Sequence, residues 1–101
     1  MNSQEFKDYI SQSDVIIIDV RSPQEFAGGH IKDARNINMY SPSFMDEIKT
    51  LDRAGKYALY CASGGRSEMA MQFMKSQGFD NVEHLDGGII EWQMHGLPIN
   101  R

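Results

Sequence analysis

The chain alternates between short apolar runs and segments whose apolar residues recur at helical spacing. The run "VIIIDV" at 15–20 is continuous and rich in β-branched residues, and "KYALYC" at 56–61 is similar. Runs of this kind predict strands that are covered on both faces. The segments "ARNIN" at 34–38 and "NVEHL" at 81–85 are shorter strand candidates. The pattern therefore predicts four strands, or five if the first residues pair at an edge.

Helical segments separate these strands. They are predicted at "SQEFKDYI" (3–10), "SPQEF" (22–26), "SPSFMDEIKTL" (41–51), "RSEMAMQFMKSQGF" (66–79) and "DGGIIEWQMHG" (86–96). Ser22, Pro23 and Glu25 form a capping-box sequence with proline at the first helical position. Ser3 and Asp86 are expected to cap the first and last helices in the same way.

Strands separated by helices predict a parallel sheet with right-handed crossovers, which is an open α/β fold. The length of 101 residues suits one domain, residues 1–101. In such folds ligands bind beyond the carboxyl ends of the strands. Cys61 lies at one such end, and residues 19–21 and 86–88 lie at two others. We therefore expect three loops to share one edge of the sheet.

Charge and composition exclude several functions. The formal net charge is −4 and no cluster of lysines or arginines is present, so nucleic acid is a poor partner. One cysteine cannot form an internal disulfide, which predicts a reduced, cytoplasmic setting. No signal segment or membrane-spanning run is visible. His84 and His95 lack ligand spacing with each other or with Cys61, so we expect neither a metal nor another cofactor.

The loop "CASGGR" at 61–66 carries the strongest chemical signal. Gly64 and Gly65 permit positive φ, which lets successive N–H groups point inward as an anion-binding nest. The following helix adds its positive end, and Arg66 adds a permanent charge. A thiol in such a setting has its pKa lowered from ~8.5 to roughly 3.5–7.5. We therefore expect Cys61 to be a thiolate nucleophile at the bottom of a small bowl of amides.

Three other interpretations stay open on the residues alone. A lone cysteine after an apolar strand is often a small buried hydrophobe. A cysteine phosphatase or arsenate-reductase-like enzyme would use the same thiolate, although only four residues separate Cys61 from Arg66 and the resulting bowl suits a single sulfur atom better than a phosphate. A non-catalytic regulatory module of the same fold would have no need of the thiol.

Three segments together resemble the single-domain rhodanese (thiosulfate sulfurtransferase) family. They are "DVRSPQEFAGGHIKDARNIN" (19–38), "YCASGGRS" (60–67) and "LDGGIIEW" (85–92), in the family's order and spacing. The similarity runs over nearly the whole chain. It implies a single rhodanese-like domain with a central parallel sheet of four or five strands and helices on both faces.

The resemblance also implies an activity. Cys61 would carry a sulfane sulfur as a persulfide, taken from thiosulfate or a similar small anionic donor and passed to cyanide, a thiol or a sulfur-accepting protein. The implied substrate-binding residues are those of the loop: Ala62, Ser63, Gly64, Gly65, Arg66 and Ser67. Ala62 and Ser63 are small and uncharged, so the loop is less basic than in some relatives.

A further set of polar residues is expected to fix the loops around Cys61. The set is Asp19, Arg21, Glu25, His30 and Asp86. We expect Arg21 to pair with a nearby carboxylate, which would also keep Asp19 from opposing ionisation of the thiol. His30 is expected to hold a loop through hydrogen bonds rather than to act as a base.

Overall fold

A four-stranded parallel sheet forms the centre of the computed structural model, which describes residues 1–101. The strands are β1 (Val15–Asp19), β2 (Arg35–Asn36), β3 (Lys56–Tyr60) and β4 (Asn81–His84). Their spatial order is β2-β1-β3-β4, and every neighbouring pair is parallel. The prediction of an open α/β fold is confirmed with four strands, because the first residues form a helix instead of an edge strand.

Five helices connect and flank the strands. They are α1 (Ser3–Ile10), α2 (Pro23–Ala27), α3 (Phe44–Lys49), α4 (Gly65–Ser76) and α5 (Gly88–Met94). No helix combines the length and the apolar character needed to cross a bilayer. Each predicted helical segment contains a helix, although only α1 has the predicted bounds.

The caps of the first and last helices were predicted wrongly. Asn2 caps α1, since its side chain accepts a hydrogen bond from the Glu5 amide while the Glu5 carboxylate accepts one from the Asn2 amide. Asn2 is extended, as a capping residue requires, and Ser3 is the buried first residue of the helix. Gly87 occupies the cap position of α5, and Asp86 lies one residue before it and makes other contacts.

The two Ser-Pro sequences behave differently. Ser22 caps α2 in the predicted box with Glu25. Ser41 does not start α3; its hydroxyl instead accepts a hydrogen bond from the Ser43 amide at 3.2 Å, which makes a local turn. The helix therefore begins at Phe44, two residues later than a Ser41 cap would place its start.

Two apolar layers cover the two faces of the sheet. In one layer, α3 and α4 pack against residues of the strands and loops (Ile18, Val20, Ile37, Phe44, Ile48, Tyr57, Leu59, Cys61, Ala70, Met74, Phe79 and Val82). In the other, α1 and α5 pack against the opposite face (Phe6, Ile17, Ile31, Ala58, Tyr60, Leu85, Ile89 and Trp92). This arrangement confirms helices on both faces and puts the carboxyl ends of the strands at one open edge.

A substitution at Gly88 tests whether α5 packs closely against the loop after β3. Its φ is +66°, and a Cβ there would collide with the Ala62 carbonyl. Gly96 has a similar φ of +73° but open space around it, so it is the matched control for backbone strain alone. Gly96→Ala is expected to cost about 1 kcal/mol. Gly88→Ala is expected to cost about 2 kcal/mol more because of the steric overlap, as measured by urea unfolding. Equal losses would contradict the close approach.

Candidate active site

Cys61 follows the last residue of β3, where the chain turns into α4. The Cys61 carbonyl accepts a hydrogen bond from the Ile89 amide at 2.9 Å, and the Ala62 carbonyl accepts one from the Ile90 amide at 3.1 Å. The first turn of α5 therefore holds the start of the loop. Gly64 then adopts φ +108° beside the Asp86 carbonyl, where a Cβ would not fit. This turn directs the next main-chain amides back toward the thiol.

The Cys61 sulfur accepts hydrogen bonds from two of those amides. The Gly64 nitrogen lies 3.0 Å from Sγ and the Ser67 nitrogen 3.4 Å away. The Ser67 hydroxyl lies 3.6 Å from the same sulfur. Burial alone would raise the pKa of the thiol, but hydrogen bonds from the Ser67 side chain and the amides of Ser67, Gly64 and Ser63 outweigh it, so the pKa of Cys61 is lowered. These hydrogen bonds favour the ionised form of the thiol although the residue is only 1% exposed.

The beginning of α4 leaves two more amides near this position. Gly65 and Arg66 are the first two residues of the helix, and their N–H groups make no hydrogen bond within the chain. Unpaired amides at a helix start are suited to an anion. Ala62 is half-buried and Ser63 is exposed at the surface of the loop. Of the six predicted loop residues, Gly64 and Ser67 donate main-chain hydrogen bonds to the sulfur, and the Ser63 amide also lowers the pKa of the thiol.

The guanidinium of Arg66 is directed at Glu25 rather than at the sulfur. Two parallel bonds of 2.8 and 3.0 Å join Arg66 to the two carboxylate oxygens of Glu25. Hydrogen bonding to Arg66 lowers the pKa of Glu25 to about 2, and the same contact raises the pKa of Arg66. Because Glu25 also accepts bonds from the Ser22 amide and hydroxyl, the pair connects the start of α2 to the start of α4.

Asp19 and Arg21 form a buried ion pair at the end of β1. The guanidinium donates to both carboxylate oxygens at 2.7 to 3.1 Å and also to the Gly29 carbonyl. Arg21 additionally lies over the ring of Tyr60. Arg21 therefore bonds to Asp19, one of the carboxylates considered from the sequence, and fixes the loop that leads to Gly29.

His30 lies in that loop and holds it locally. Its Nδ1 is 3.1 Å from the Phe26 carbonyl, its ring stacks on Phe26, and its backbone pairs with Asn100. None of these contacts reaches the thiol.

His84 is a residue of the site that the sequence reasoning did not select. It ends β4 and its Nδ1 lies 3.0 Å from the Ser67 hydroxyl, while its Nε2 lies 3.3 Å from Asp86. Burial lowers the pKa of His84. The sequence indicates only that His84 lacks ligand spacing with Cys61, whereas its position at the carboxyl end of β4 is the signal that places it at the edge shared with Cys61.

No open cavity leads to the thiol. The surface depressions of the molecule lie elsewhere, and the largest, about 510 Å³, is lined by Asn2, Ser3, Gln4, Glu91, His95 and Leu97.

The sequence was compared with models of protein families and with known proteins. The family model for a rhodanese-like domain matches residues 2–95, and the chain therefore belongs to the rhodanese-like family. A sulfurtransferase of Allochromatium vinosum is 45% identical over 87 residues, covering 85% of this chain and 78% of that protein. A tRNA uridine(34) hydroxylase of Wolbachia pipientis is 40% identical over 90 residues, but these cover 84% of this chain and only 31% of the hydroxylase.

Solved structures agree with the fold. A rhodanese-related protein of Thermoplasma volcanium superposes with a TM-score of 0.87 at 32% identity, covering 99% of this chain and 95% of its own. A protein of unknown function from Rhodopseudomonas palustris, described as a possible tyrosine phosphatase, superposes with a TM-score of 0.76 at 30% identity and covers 98% and 82% of the two chains.

The pair of Glu25 and Arg66 predicts a specific acid sensitivity. The folded carboxyl has its pKa lowered from 4.5 to about 2, so its contribution to stability is complete above pH 4.5 and is lost as the pH falls toward 2. In Glu25→Gln the free energy of unfolding is expected to fall less steeply over this range. Glu68→Gln, on the exposed side of α4, controls for loss of one negative charge. Parallel profiles for Glu25→Gln and the wild type would contradict the assignment.

Proposed function

We propose that this protein is a sulfurtransferase that carries a sulfane sulfur as a persulfide on Cys61. One observation supports this above all: the sulfur accepts hydrogen bonds from the Gly64 and Ser67 amides, which favour its ionised form. A thiolate is the form that attacks sulfur. Membership of the rhodanese-like family and similarity to a named sulfurtransferase support the same chemistry.

The reaction has two steps. With thiosulfate as donor, the Cys61 thiolate attacks the outer sulfur, a new S–S bond forms, and sulfite leaves with the electron pair of the broken bond. The acceptor, cyanide or a thiolate, then attacks the outer sulfur of the persulfide. Thiocyanate or a new persulfide departs and the Cys61 thiolate is restored. The unpaired amides of Gly65 and Arg66 are positioned to stabilise the anionic outer sulfur.

The lone thiol also suits a reducing compartment, and we place the reaction in the cytoplasm on that ground. The biological acceptor would be a small thiol or a sulfur-accepting protein. The match to the tRNA uridine(34) hydroxylase spans about a third of that protein.

The central prediction concerns Cys61→Ser. Thiosulfate treatment of the wild type is expected to add one sulfur atom to the intact mass, and dithiothreitol to remove it. The Cys61→Ser variant is expected to gain no sulfur and to lose thiosulfate–cyanide transfer, since the hydroxyl is a far weaker nucleophile. Its Tm and circular dichroism control for folding. Retained transfer in a folded variant would refute the proposal.

A cysteine phosphatase is the second candidate, because one structural relative is described as a possible tyrosine phosphatase. It would use the same thiolate on an aryl phosphate. Turnover of such a phosphate with no persulfide would favour this candidate, and absence of both activities would favour a non-catalytic regulatory module.

The pairing of Arg66 with Glu25 predicts opposite effects of two substitutions on anionic donors. Glu25→Gln is expected to lower KM for thiosulfate several-fold, because it leaves the Arg66 charge uncompensated. Arg66→Ala is expected to raise KM by roughly tenfold, the loss of about 1.4 kcal/mol of charge-assisted binding. KM for cyanide serves as the internal control and is expected to change less. Equal KM values for thiosulfate in all three proteins would show that this charge does not select the donor.

A further inference from the structure

A continuous set of hydrogen-bond distances connects Cys61 to an imidazole and a carboxylate. Sγ lies 3.6 Å from the Ser67 hydroxyl, that hydroxyl lies 3.0 Å from His84 Nδ1, and His84 Nε2 lies 3.3 Å from Asp86 Oδ1. Ser67 is fully buried, and the His84 side chain is only 12% exposed. The four residues thus form one polar line that begins at the thiol inside the domain and ends at an exposed carboxylate.

The fold fixes both ends of this line. His84 pairs with Leu59 in the sheet, so it ends β4 just beside the end of β3, and Cys61 follows two residues after Leu59. Ser67 is in the first turn of α4, between the two strand ends. Its hydroxyl also lies 3.1 Å from the Gly64 carbonyl, which can only accept, so this carbonyl and His84 Nδ1 are alternative acceptors of the single hydroxyl proton. Proton transfer uses the orientation in which the hydroxyl points at Nδ1.

We propose that His84, acting through the Ser67 hydroxyl and oriented by Asp86, accepts the thiol proton of Cys61. The inference rests on the proposed role of Cys61 as a nucleophile. His84 is a positioning residue in this arrangement, because it touches Ser67 and not the reacting sulfur.

The proton balance is simple. In the thiol state Cys61 S–H donates to the Ser67 oxygen, and Ser67 O–H donates to Nδ1 of neutral His84, whose Nε2–H donates to Asp86. In the thiolate state the thiol proton is on the Ser67 oxygen and the former Ser67 proton is on Nδ1. Ser67 then donates to the sulfur anion, and the imidazolium donates to both Ser67 and Asp86. One net proton has moved from sulfur to imidazole, and no other bond has changed.

The charges around Cys61 and His84 permit both the thiol with a neutral imidazole and the thiolate with an imidazolium. Burial and the amino group of Met1 lower the pKa of His84, and the carboxylates of Asp86, Glu68 and Glu83 oppose them without cancelling them. The imidazole is therefore neutral near pH 7 and free to accept a proton. The cation it becomes is stabilised by Asp86 on one side and the new thiolate on the other. The Arg66 guanidinium, held by Glu25, is the other charge close to the sulfur.

The first test is the pH dependence of Cys61 alkylation by iodoacetamide, which needs no sulfur donor and has one cysteine to react. His84→Asn retains an amide that can bond to Ser67 but cannot take a proton. It is expected to raise the apparent pKa of Cys61 by about one unit. Alkylation below that pKa would then be about tenfold slower, and the rates would converge at high pH. His95→Asn, at an exposed histidine of the surface, is the matched control. Superimposed profiles for His84→Asn and the wild type would overturn the proposal.

The second test measures the same coupling through the pKa of the His84 imidazole. It does not depend on how His84→Asn folds. NMR titration of the His84 imidazole is expected to give a lower pKa in Cys61→Ser than in the wild type, because the anion that stabilises the imidazolium is absent. An unchanged midpoint would refute the relay. Persulfide formation is measured separately by mass, so coupled titration without persulfide would reject the proposed function and leave the relay standing.

Discussion

Main-chain amides of Gly64 and Ser67 converge on the Cys61 sulfur, and the rest of the site is arranged so that they can. The turn that aims them requires Gly64 to pack against the Asp86 carbonyl with positive φ. That contact in turn requires the segment after β4 to lie directly over the loop, where the Ile89 and Ile90 amides bond to the loop carbonyls. The amides that contact the sulfur are therefore placed by backbone geometry, which depends on the register of β3 and β4.

The two arginine pairs near the site have different physical roles. The positive charge of Arg21 compensates the negative charge of Asp19 inside the domain. Its guanidinium donates hydrogen bonds to both Asp19 carboxylate oxygens and to the Gly29 carbonyl. Without that compensation, a carboxylate at the same edge of the sheet as Cys61 would oppose ionisation of the thiol. Arg66 and Glu25 are partly exposed, so solvent screens their attraction and the pair can open at lower cost. The buried pair of Arg21 and Asp19 therefore suits a fixed structural role. The partly exposed pair allows Arg66 to leave Glu25 for an anionic donor.

Much of this arrangement followed from local sequence patterns. The box of Ser22 and Glu25 is encoded within four residues, and the loop of Cys61 within six, so both were predictable. The cap predicted at Asp86 is absent, because its carboxylate contacts His84 and the Met1 amino group and Gly87 takes the cap position. The contact of His84 with Ser67 also depends on strand pairing, which brings together residues 17 positions apart. Likewise, the sequence could not reveal that Arg66 faces Glu25, 41 positions away.

The isolation of the thiol has a consequence for its chemistry under oxidative stress. This chain contains one cysteine, so a sulfenic acid formed on Cys61 has no neighbouring thiol within the chain to trap it as a disulfide. Rescue depends on a reductant from outside, and further oxidation to the sulfinic acid competes with it. Because the side chain of Cys61 is 1% exposed, its burial limits access of peroxide to the sulfur. Burial thus protects a thiol that has no second thiol in the chain to repair it.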